Sequence, residues 1–174
     1  EMKKSWMKVA VLTLAMSAMS VTASFAGEWG KVGQRYFYYQ EDGTVAKNQW
    51  IESADGTGKY WVGVDGVMAA GQWVNTDDAW YYVGEDGLCL TNQMLKQNSD
   101  LYWLKEDGKM AVNEWVQNEE GKWYYMQANG RAIKNGWKLI DGDYYYFLKN
   151  GVMAVDALVP GGYRVGADGK WVQN

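Results

Sequence analysis

The residues in this chain that can do chemistry are mostly aromatic. It carries 11 tryptophans and 13 tyrosines in 174 residues, and no histidine. Electron-rich ring faces hold cations, and they also accept the flat faces of sugars. The missing histidine excludes histidine-based triads, histidine general bases and histidine zinc sites. No glycine-rich phosphate loop and no serine-nucleophile motif appears. The adjacent carboxylates Asp77-Asp78 and Glu119-Glu120 fall in turn-rich stretches and read as solvated. The residues therefore point to binding. No catalytic residue, metal ligand set or cofactor site is expected, and the chain is not expected to be an enzyme.

The aromatics are positioned by repetition. An aromatic cluster is followed by four or five residues, a glycine, a small apolar pair and usually a tryptophan. The turn glycines are Gly43, Gly66, Gly87, Gly108, Gly130, Gly151 and Gly169, separated by 23, 21, 21, 22, 21 and 18 residues. A fixed period near twenty signals a repeat array whose units contact mainly their neighbours. About seven repeats are expected over residues 27–174. The last is atypical: Gly161-Gly162-Tyr163-Arg164-Val165 has one tyrosine where the others have an aromatic cluster.

Each repeat reads as a β-hairpin. In Trp80 to Met94, Trp80-Tyr81-Tyr82-Val83 are strong strand formers. Gly84-Glu85-Asp86-Gly87 forms a turn, and Leu88-Cys89-Leu90 reads as the return strand. The pairs Asp42-Gly43, Asp65-Gly66, Asp107-Gly108, Asn129-Gly130, Asn150-Gly151 and Asp168-Gly169 mark the same turn. Their fixed place makes these aspartates structural rather than catalytic. A second turn-rich stretch, such as Asp55-Gly56-Thr57-Gly58, links one repeat to the next. No segment shows sustained helical periodicity, so the chain is expected to be all-β. Successive strand residues face opposite ways, so Trp123 and Tyr125 share one face and Tyr124 takes the other.

The first 26 residues stand apart. Lys3, Lys4 and Lys8 precede an apolar run from Val9 to Val21, and Ser24-Phe25-Ala26 is a small-x-small cleavage site. This is the pattern of a secretory signal peptide, and the run is too short to span a bilayer. The chain is expected to be exported and soluble, or held at a surface by what it binds, with no membrane span. Beyond residue 26 it keeps 14 basic and 20 acidic residues. That acidic balance disfavours nucleic acid and favours cationic ligands. Cys89 is the single cysteine, which excludes an intramolecular disulfide.

The repeats resemble the choline-binding, or cell-wall-binding, repeat family of Gram-positive bacteria. The resemblance rests on Tyr60-Trp61 with Asp65-Gly66-Val67-Met68-Ala69 and Trp73. It recurs in Tyr102-Trp103 with Asp107-Gly108-Lys109-Met110-Ala111 and Trp115. It recurs again in Tyr144-Tyr145-Tyr146 with Asn150-Gly151-Val152-Met153-Ala154. The resemblance implies a left-handed solenoid of stacked β-hairpins. It implies aromatic cages between hairpins, often with a methionine, around the trimethylammonium of choline. The partner would be phosphocholine-bearing teichoic or lipoteichoic acid of the cell wall. A quaternary ammonium donates no hydrogen bond, so a box of ring faces is its natural receptor, each face contributing about 0.5–2 kcal/mol. Related aromatic repeats bind glucans or other glycans, which is the alternative function.

Carried over position by position, the resemblance implies four cages. Trp29, Tyr38 and Trp61 form the first. Trp50, Trp61 and Tyr82, near Met68, form the second. Trp73, Tyr82 and Trp103 form the third, and Trp115, Tyr125 and Tyr146 the fourth. The seams built on Trp50 and Trp73 hold two tryptophans each and are expected to be strongest. Two positions depart from the pattern. Met94 replaces a loop tryptophan, and a cage of Trp137 with Tyr146 would meet Arg164.

Overall fold

The computed structural model describes residues 27–173. The expected signal peptide lies outside the described residues. Fifteen short strands follow one another: β1 (Glu28–Val32), β2 (Arg35–Tyr39), β3 (Gln49–Glu52), β4 (Lys59–Val62), β5 (Gln72–Thr76), β6 (Ala79–Val83), β7 (Gln93–Gln97), β8 (Asp100–Leu104), β9 (Glu114–Gln117), β10 (Trp123–Met126), β11 (Gly136–Ile140), β12 (Asp143–Phe147), β13 (Ala157–Val159), β14 (Tyr163–Val165) and β15 (Trp171–Val172). The described residues include no helix. The all-β expectation holds.

The strands pair as antiparallel hairpins, but not across the turn that the sequence advertises. β3 pairs with β4, β7 with β8, β9 with β10, and β11 with β12. Each of these joins the strand carrying the loop tryptophan, or its substitute, to the aromatic strand that follows. The connection is the second turn-rich stretch, taken above as a link between repeats. Across the Asp-Gly turn most return segments make one isolated bridge, such as Val62 with Met68 or Leu104 with Met110. Only at the end does the return segment become a strand, β15, on a three-stranded sheet ordered β13-β14-β15.

The reason is visible in the hydrogen bonds. The return segment is shared with an earlier repeat. Met68 N donates to Tyr36 O at 2.9 Å, Cys89 N to Lys59 O at 2.9 Å, and Met153 N to Trp123 O at 2.8 Å. These bonds join residues some thirty positions apart and tie successive repeats together. A segment committed to two neighbours cannot run a long ladder with either.

The Asp-Gly turns are structural, as expected. Asp65 Oδ1 accepts the Val67 N–H at 3.0 Å, and Asp107 does the same for Lys109 at 3.0 Å. Asn129 serves Arg131 equally at 3.0 Å. The following glycine sits at positive φ, from 76° to 86° at the seven turn positions, where a side chain is strained.

The chain divides into two compact units. One comprises residues up to Val74 with Tyr82–Cys89, the other Asn75–Tyr81 with Leu90–Asn174. The second unit is built on several clusters rather than one central core. In the first unit, Ala46, Ile51 and Val62 cluster beneath Trp29 and Tyr38. In the second, one cluster joins Trp103, Ala111, Val116, Tyr124, Met126 and Ala132. Another joins Ile133, Ile140, Phe147 and Met153, and another Tyr146, Ala154, Val159 and Val165. Each collects residues from neighbouring repeats, so a hairpin too small to fold alone hides its apolar face against the next.

Candidate aromatic cages

The loop tryptophan is aimed by the residue two positions before it. Asn48, Asn113 and Asn135 take positive φ of 49°, 51° and 54°, ahead of Trp50, Trp115 and Trp137. Gly71 does the same at 60° ahead of Trp73. Asparagine tolerates this left-handed conformation better than most residues. Its backbone N–H then reaches past the aromatic strand, as Asn48 N does to Gly63 O at 2.9 Å. The recurrence of Asn two before Trp was the sequence signal for this device, and the reading above missed it.

Each tryptophan so placed stands directly across a hairpin from a strand aromatic. Trp29 pairs with Tyr38, Trp50 with Trp61, Trp115 with Tyr125, and Trp137 with Tyr146. The rings meet edge to face at 5.1 to 5.3 Å. Trp73 meets Tyr82 in the same way at 5.2 Å. Edge-to-face contact is the favoured geometry for such pairs. Two members of every expected cage are thus brought together within one hairpin.

The third member comes from the next hairpin, one residue earlier than expected. Trp29 meets Tyr60 at 5.3 Å, where Trp61 was expected. Trp61 lies on the other face of β4, against Trp50. Trp115 meets Tyr145 at 4.9 Å, where Tyr146 was expected. Tyr146 is buried with Ala154, Val159 and Val165 beside Trp137. A slip of one residue on a strand reverses the face. In the second expected cage, Tyr82 is spent on Trp73, and half-buried Met68 packs toward Gly87. For the third, Trp103 lies in the second unit, buried against Met94, Ala111 and Tyr124.

The same slip removes the anticipated clash at Trp137. Tyr163 meets that ring at 5.9 Å, while Arg164 pairs with Leu158. Trp137, Tyr144, Tyr163 and Trp171 line an open apolar cavity of about 290 Å³. Trp171 meets Tyr144 at 6.2 Å and Tyr163 at 6.1 Å. A neighbouring cavity of about 260 Å³ is lined by Trp115, Trp123, Tyr145, Met153 and Asp168. Both are at the small end for ligand sites. Trp123 is 40% exposed and its ring lies 6.4 Å from Trp115. Burial raises the Tyr145 phenol above its ordinary value, so the ring remains neutral.

The Trp50 seam differs. The Lys59 ammonium lies 4.5 Å over the Trp50 ring. A face expected to receive a ligand cation already has one.

An array of aromatic hairpins, with cavities walled by rings, defines a repeat-built binding module. The choline-binding repeat family matches residues 44–89 and 131–171, and a putative cell wall binding repeat matches residues 113–132. The chain belongs to this choline-binding, cell-wall-binding repeat family. Among solved structures it is similar to choline binding protein F from Streptococcus pneumoniae, studied in the presence of a peptidoglycan analogue. The identity is 31% over 85% of this chain and 47% of that one, with a TM-score of 0.66. It is similar to the modular autolysin LytC of Streptococcus pneumoniae at 25% identity, 84% and 37% coverage and a TM-score of 0.66. It also matches the choline-binding domain of CbpL from Streptococcus pneumoniae at 29% identity, 86% and 98% coverage and a TM-score of 0.52. The chain spans less than half the length of the first two. No curated protein sequence matches it.

Proposed function

We propose that this chain is a secreted module that docks non-covalently on choline residues of teichoic or lipoteichoic acid, without catalysis of its own. The observation that carries the reading is the cavity of Trp115, Trp123, Tyr145, Met153 and Asp168. Three rings, a thioether and one carboxylate suit a cation that is greasy outside and cannot donate a hydrogen bond. Ring faces attract it, the sulfur packs softly against its methyl groups, and the carboxylate adds charge. The four-ring cavity at Trp137 offers ring faces alone, without the thioether or the carboxylate.

The test is calorimetric titration of the full chain with choline, with glucose and glucan fragments alongside. Choline should bind in the second unit and raise the melting temperature by mass action. An unchanged melt in millimolar choline, or an equal shift with glucose, would overturn the reading in favour of a glycan-binding module.

A further inference from the structure

A cavity of about 320 Å³ in the second unit has a different chemistry. Its walls are Asn113, Tyr125, Gln127, Ala128, Asn129 and Lys138. One aromatic ring stands among three side-chain amides and an ammonium.

Two of these residues break the repeat pattern, and both change its charge in the same direction. At the position of Lys138, just after the loop tryptophan, other repeats place Ile51, Val74, Val116 and Val159, all buried. Lys138 is exposed, and Ile140 enters the core in that hairpin. At the position of Asn129, the turns have Asp42, Asp65, Asp86, Asp107 and Asp168, with Asn150 the other amide. The turn needs only an oxygen acceptor, which Asn129 supplies to Arg131. The cavity therefore gains an ammonium and lacks the usual carboxylate, in a chain of net charge −4.

The hydrogen-bonding groups are largely unspent. Lys138 makes no ion pair among the described residues. Asn113 uses its backbone N–H on Gln127 O, leaving its side-chain amide open. Gln127 Nε2 makes one long bond to Arg131 O at 3.4 Å. Asn129 Oδ1 is taken by the turn, but its NH₂ is open. The adjacent carboxylate, Glu114, is held by Lys105 at 3.4 Å. Amides offer donors and acceptors together, as a polyhydroxylated ligand requires. An aromatic wall suits the flat face of a sugar ring. An ammonium adds a point charge for an acid.

We propose that this cavity binds a saccharide carrying an anionic substituent, on walls distinct from the cavities at Trp123 and Trp171, with Tyr125 facing both it and Trp115. A carboxylated amino sugar and a phosphorylated sugar share this chemistry. The proposal does not depend on the choline reading.

The test is NMR titration of the full chain with N-acetylmuramic acid and glucose 6-phosphate. N-acetylglucosamine, glucose and inorganic phosphate serve as controls. Shifts should centre on Asn113, Tyr125, Gln127, Asn129 and Lys138. Lys138→Gln should weaken acidic-sugar binding about fivefold, the scale of an exposed charge contact, and Asn129→Asp should weaken it in the same sense. Neither should alter choline binding. Whichever acidic sugar binds more tightly names the source of the ligand. Equal binding of neutral sugars, equal shifts with phosphate alone, insensitivity to Lys138→Gln, or no shifts with either acidic sugar would overturn the proposal. Both substitutions are at exposed positions, and Asn129→Asp restores the residue of most other turns, so folding is preserved.

Discussion

The seam at Trp50 and the seam at Trp115 start from nearly the same residues. Each tryptophan follows a left-handed asparagine by two positions and meets a strand aromatic edge to face. At Trp50 the ring face is capped by Lys59 from the facing strand. At Trp115 the rings open onto a cavity that ends in Asp168. One seam supplies its own cation, and the other leaves its ring faces open beside a carboxylate. The hairpin sets the ring pair, and one charged neighbour decides what the pair can hold.

Trp115→Ala should have the largest effect. Trp115 touches Trp123, Tyr125, Tyr145 and Phe147. Its loss should cost about 3 kcal/mol in urea unfolding and abolish choline binding at that cavity. Trp50→Ala should leave the choline titration nearly unchanged. A titration equally damaged by both would erase the distinction between the seams.

Asp168→Asn should weaken choline about fivefold by calorimetry, since a nearby carboxylate contributes about 1 kcal/mol at a solvated site. The turn should survive, because Asn129 and Asn150 form the same turn. An unchanged affinity would show that the rings alone carry the site.

Lys59→Met should uncover the Trp50 face. The expected result is a gain of weak choline binding in the first unit, read as new NMR shifts on Trp50 and Trp61. No gain would mean that the ammonium is not what closes this seam.

The smallest effect concerns the turn beside Lys59. Hydrogen bonds from Thr57 and Ser53 hold the Asp55 carboxyl down to about 2, below its ordinary 3.8. A depressed carboxyl stabilises the fold fully above the unfolded value and loses that contribution as pH falls toward 2. An NMR titration should place the Asp55 midpoint near 2 and show the turn loosening below pH 4. A midpoint near 3.8 would remove those bonds from the account.

The repeat period, the Asp-Gly turns and the all-β class were legible because each depends on local chemistry. A glycine at positive φ after an aspartate that accepts its own turn's N–H is written in consecutive residues. The pairing was misread because return segments such as Val67–Ala69 answer to a repeat some thirty residues earlier, and no local pattern records that. The rings Trp29 and Tyr38, Trp50 and Trp61, and Trp115 and Tyr125 were grouped from the sequence, but not as partners across one hairpin. The third ring was placed on the wrong face because Tyr60-Trp61 and Tyr144-Tyr145-Tyr146 are aromatic at successive positions. Alternation fixes register only where one face is polar, and here it is silent. Trp123, Trp171 and Asp168 joined the cavities through neighbours that come close only when repeats pack.

Gly87 and Gly169 lie over the methionines of earlier repeats. A Cβ at either would fall 2.6 Å from the methyl carbon of Met68 or Met153. This contact fixes a glycine one period after each of these two methionines. A duplication or deletion of one whole period returns a glycine to each methionine, whereas an out-of-phase change sets a side chain on it. Linked weak sites multiply retention, so on the proposed reading the number of periods, as well as the quality of each cavity, sets the strength of attachment.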